Sequence, residues 1–61
     1  MAQLSEKELS FLGDILCEEA LLVKKFKMLA EHAEKPELKN QMENIAQKHQ
    51  GHFNELYSKL S

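Results

Sequence analysis

The stretch HAEKPELK, residues 32–39, decides the fold. Pro36, the only proline in the chain, fits the first turn of a helix, where its missing N–H costs nothing. Upstream lie mostly strong helix formers, back to LSEKEL at residues 4–9. There Ser5 and Glu8 have the spacing of a capping box, and Leu4 and Leu9 can form the hydrophobic staple around it. The first helix is therefore expected from about Glu6 to Ala33, and the second from Pro36 or Glu37 to Leu60. Lys35 stands where Asp or Ser would cap better, so this helix start is expected to fray. A linker this short makes the helices antiparallel neighbours. The expected fold is an all-α hairpin, with residues 1–61 as one domain.

A 61-residue monomer buries only about 60% of the surface its unfolded chain exposes, so its stability is marginal. One cysteine allows no internal disulfide, and no Cys/His spacing of the zinc-finger kind replaces it. Oligomerisation is the remaining remedy. A net charge of -2 gives no electrostatic footprint for nucleic acid, and that class of partner is set aside. The beginning MAQLSEKEL is charged almost at once and no apolar run approaches the ~18 residues of a membrane span, so neither signal peptide nor membrane partner is expected.

At roughly 100° per residue, Leu9, Leu12, Ile15, Leu16, Leu22, Val23, Phe26, Leu29, Ala30 and Ala33 share one face of the first helix. Leu38, Met42, Ile45, Ala46, Phe53, Leu56 and Leu60 share one face of the second. Both stripes are wider than a two-helix contact covers, which leaves apolar surface wet in a monomer. Two hairpins closing into a homodimeric four-helix bundle would bury it.

Three polar residues fall within these stripes. Glu19 lies near the middle of the first, His49 near the middle of the second, and His52 one turn on and slightly to the side; all three are expected to face inward. With both helices rising ~1.5 Å per residue from a turn near 34 or 35, position 19 is level with about position 50. A carboxylate with two histidines at i, i+3 supplies a two-histidine, one-carboxylate set for iron or zinc, with coordination positions left open. The same three residues without metal form a hydrogen-bonded cluster that fixes register and partner choice. Spacing alone leaves both open, with the cluster the commoner outcome, because structural ion pairs also collect at inward positions.

Elsewhere the patterns point to packing and solvation. Cys17, Leu21 and Met28 make a thinner apolar strip on the far side of the first helix, open to a further copy, and Cys17 to an intermolecular disulfide under oxidising conditions. Scattered apolar surface residues are the commoner case. His32 suits the helix dipole. Lys24, Lys25 and Lys27 spread around the helix without forming a patch. Glu31 with Lys35 and Glu55 with Lys59 have i, i+4 spacing. Tyr57 flanks the stripe with its hydroxyl wet. Cys17 has no inward histidine beside it, and the isolated Gly13 and Gly51 form no phosphate loop, so catalytic residues are not assigned.

The run LCEEALLVKKFKMLAEHAEKPELKNQMENIAQKHQGHFNELYSKL resembles the spore coat F domain family of endospore-forming bacteria over about residues 11 to 60. CEEALLVKK in the first helix, PELK at the hinge and IAQKHQGHFNEL in the second carry the likeness. The resemblance implies a ferritin-like helical unit with a role at the spore coat. Lys35 replaces the Asp that usually precedes the family's hinge proline, and Phe26 or Phe53 an aromatic that is often Tyr. Ferritin-like bundles place a Glu on one helix and Glu-x-x-His on the next. Glu19 and His52 match that pattern, while His49 stands where the second Glu would be. The resulting nitrogen-rich set fits a single site, or one metal per hairpin, better than a dinuclear oxidising centre.

The expected function is thus a small structural or interaction protein in the cytoplasm or spore coat, working as a homodimer with coat proteins or higher self-assembly as further partners. The alternative is a metal-binding or redox protein with iron or zinc on Glu19, His49 and His52. Enzymatic activity stands third.

Overall fold

The computed structural model describes residues 3–60, which are helical with no strand. Helix α1 spans Glu6–His32, helix α2 spans Pro36–Tyr57, and a 3-10 turn over Ser58–Leu60 follows α2. The second helix is therefore α-helical only to Tyr57, its last turn tightening into the 3-10 form, and the first stops at His32 with Ala33 already extended (φ -71, ψ 127).

The start of α1 is held as its sequence implies. The Ser5 hydroxyl accepts from the Glu8 N–H at 3.1 Å, and the Ser5 N–H donates to Glu8 Oε1 at 2.8 Å. That backbone N–H, then the Ser5 hydroxyl, holds the Glu8 carboxyl below its usual value. A carboxyl depressed in the folded state contributes stability that is present above its unfolded-state pKa and lost as pH falls through the folded one. Protection of the first-turn amides of α1, taken relative to intrinsic exchange at each pH, should therefore fall on acidification below the ordinary carboxylate range. Glu8→Gln keeps a capping acceptor but cannot titrate, and should remove this component of the pH dependence; an unchanged profile would refute the assignment.

The hinge lacks such a device. Lys35 occupies the N-cap of α2 in extended conformation (φ -84, ψ 128) with no side-chain hydrogen bond, followed by Pro36 in the first turn. Lys35→Asp supplies the missing acceptor and a charge that suits the helix N-terminus, with an expected gain of about 1 kcal/mol. A urea midpoint that rises with unchanged slope checks this. The expected pairs Glu31–Lys35 and Glu55–Lys59 do not close among the described residues. Lys35 lies beyond the end of α1 and Lys59 in the 3-10 turn, so neither pair sits on continuous α-helix.

The seam between the helices buries Leu12, Leu16, Val23 and Ala30 of α1 against Ala46 of α2. Leu22, Phe26, Ala33, Met42, Ile45, Phe53 and Leu56 are half-buried. Tyr57 is exposed, and its ring stacks on Phe53 one turn earlier at 5.9 Å. Leu9, Ile15, Leu29, Leu38 and Leu60 belong to the apolar stripes yet remain exposed, as does Phe11, which lies outside the stripe read from the sequence. No large side chain among the described residues is fully sealed from water.

The molecule is a rod of 46 × 17 × 11 Å. Its radius of gyration is 14.4 Å, against about 10.5 Å for a compact chain of this length. It exposes 5105 Å², where a compact monomer of its mass exposes about 4,100 Å².

Candidate metal centre

Glu19 sits halfway along α1, and the hinge at residues 33–35 brings His49 and His52 of α2 to its level. The equal rise of the two helices sets this meeting, as the count from the hinge predicts. His49 Nδ1 lies 2.6 Å from Glu19 Oε1. A carboxylate oxygen accepts, so His49 Nδ1 is the donor in this pair, and Nε2 takes no part in it. His52 Nδ1 stands 3.4 Å from Glu19 Oε2, too long for a firm hydrogen bond. Each imidazole thus addresses a different oxygen of one carboxylate.

The three residues differ in freedom. The Glu19 side chain is 16% exposed and that of His49 23%, whereas His52 is 57% exposed. His52 therefore does not face inward as expected. Three helical steps carry it roughly 60° around α2 from His49, out of the seam and onto its flank. His49 is held on two sides: its edge by Glu19, and its face by the Phe26 ring, stacked at 5.7 Å and 15°. His52 meets His49 edge-on at 5.7 Å and 85°.

Glu19, His49 and His52 each present one potential ligand atom, and these atoms lie within 4.8 Å of one another. Ligands bonded to one transition ion at about 2.0–2.2 Å stand roughly 3–3.5 Å apart, so closing the set takes a contraction on the order of 1.5 Å. The exposed His52 has the freedom to make most of it. Glu19 and His49 would hold such an ion at the cost of their mutual hydrogen bond, because a ligating nitrogen must be free of its proton. One carboxylate and two imidazoles leave further coordination positions to solvent or to another protein group.

Other candidates stand apart from this cluster. Cys17 is exposed, and His32 occupies the last turn of α1, where a cation suits the dipole. Reading the sequence missed the support Phe26 gives to His49, although Phe26 lies two turns after Glu19 on the same line of α1. No helix among the described residues is long and apolar enough to cross a membrane. Comparison with family models, with curated proteins and with solved structures gives no significant match for this chain.

Proposed function

We propose that the chain is a small structural and interaction module that works as a homodimeric, ferritin-like four-helix bundle, in the manner the resemblance to the spore coat F domain implies. The observation that carries this reading is the excess surface: a hairpin exposing 5105 Å², with leucine, isoleucine and phenylalanine side chains among the exposed residues. The excess over a compact monomer, about 1,000 Å², is of the order that one partner buries in a standard protein interface. Covering it with a second copy supplies the sealed interior that one copy lacks. Coat proteins or further copies are the next partners on this reading. Sedimentation at micromolar concentration is expected to give a dimer, and a stably folded monomer would refute it.

A second reading, metal binding or redox work in the bundle core, is favoured by the convergence of Glu19, His49 and His52 within 4.8 Å. Iron and zinc suit such a donor set. Metal analysis of purified protein is expected to find iron or zinc in stoichiometric amount, lost from a His49→Ala, His52→Ala double variant. If wild type and variant are alike metal-free, this reading fails and the cluster is structural. The variant is then destabilised by about 1–3 kcal/mol, because half-buried Glu19 loses its hydrogen-bond partner.

A further inference from the structure

The two long faces of the rod differ in chemistry. On one side Lys27, Glu43, Gln47 and Gln50 place charged and amide groups around a groove floored by Ala46, with no large apolar side chain in its lining. On the other, Phe11, Ile15 and Leu29 of α1 lie on the flank adjoining its buried line, and Leu38, Ile45 and His52 lie on the corresponding flank of α2. In antiparallel helices of one hand, flanks turned in the same sense fall on the same side of the pair. Phe11, Ile15, Leu29 and Leu38 are 56%, 42%, 53% and 45% exposed. The triad opens onto this apolar face, because its most exposed member is His52.

Position along the rod gives the second constraint. α1 runs from Glu6 to His32, which puts Glu19 at its midpoint. When two such rods overlap over their full length about a two-fold axis, whether parallel or antiparallel, their mid-length residues stand level. Charge gives the third. Two Glu19 carboxylates balance one divalent ion, whereas two divalent ions would leave a net double positive charge in an apolar interior, at high desolvation cost.

We propose that a second copy of this chain docks on this face and that the two Glu19–His49–His52 sets share one divalent first-row transition ion at mid-rod. The partner thereby supplies ligands for the positions that a single hairpin leaves open. The shared set holds two carboxylates and four imidazoles, a nitrogen-rich donor set suited to a six-coordinate ion. The inference rests on the pairing proposed above. Because coupling is reciprocal, an ion that needs both copies strengthens their association by as much as association strengthens ion binding.

The test titrates the metal-free 61-residue chain with Co2+ and follows sedimentation and visible absorption together. Expected are saturation at one Co2+ per two chains, the weak absorption of a six-coordinate ion, and a pairing constant raised at least about tenfold. His52→Ala and Glu19→Gln should lose the cobalt response, while His32→Ala, remote from the triad, retains it. Saturation at one ion per chain, a pairing constant that cobalt does not move, or no cobalt binding each overturns the shared site while leaving metal-free pairing intact. A chain that stays monomeric with and without cobalt overturns the pairing and this inference together.

Discussion

Leu16→Ala is expected to remove most of the stability of the hairpin. Leu16 is only 9% exposed and lies in the middle of the buried line of α1. Truncating a buried leucine costs about 2–5 kcal/mol, part of it transfer free energy and part the cavity left behind. A domain of 61 residues has in all about 3–9 kcal/mol at the usual stability per residue. Few other buried side chains are present to compensate, as among the described residues only Leu12, Val23, Ala30 and Ala46 share that class. Urea unfolding followed by far-UV circular dichroism measures the loss. Leu21→Ala, at a site 50% exposed on the far side of α1, should stay within about 0.5 kcal/mol of the parent. If the two variants cost the same, the seam described here is not what holds the helices together.

The second large effect is expected from placing charge on the apolar face. In a two-fold interface every substitution occurs twice, so Ile15→Asp with Leu29→Asp puts four carboxylates into the contact. Uncompensated charges in a buried interface cost several kcal/mol, so the dissociation constant should rise by more than about a hundredfold. In a single hairpin both sites are already about half exposed, and the direct cost there is small. A sedimentation series therefore separates the variant from its parent at concentrations where the parent is paired. Leu21→Asp with Met28→Asp, on the strip beside Cys17, is the matching control and should leave pairing unchanged. The reverse result, pairing lost in the control and kept in the first variant, moves the docking surface to the outer strip.

The features legible in the sequence are those set by near neighbours or by counting. Ser5 and Glu8 lie three residues apart and close their capping box without help from the rest of the fold. Pro36 fixes the hinge, and the rise per residue then delivers His49 to Glu19 across the seam. What the sequence left obscure depends on how far a neighbouring helix reaches around its partner. Angular position placed His52 near the buried stripe, but the edge of the seam falls between His49 and His52, and no wheel of one helix contains that edge. Phe11 escaped notice for the same reason: it stands beyond the stripe that the α1–α2 contact defines, yet on the flank with Ile15. The end of α2 was likewise blurred, because a 3-10 turn uses the same residues as an α-helical one.

The lack of any fully sealed large side chain among the described residues has a consequence for abundance. If a copy completes its interior only by taking up another, folding is second order in chain, and the folded fraction depends on how fast the protein is made. Slow synthesis leaves single hairpins open to proteases, whereas a burst carries the population past the threshold at which twofold assembly outruns degradation.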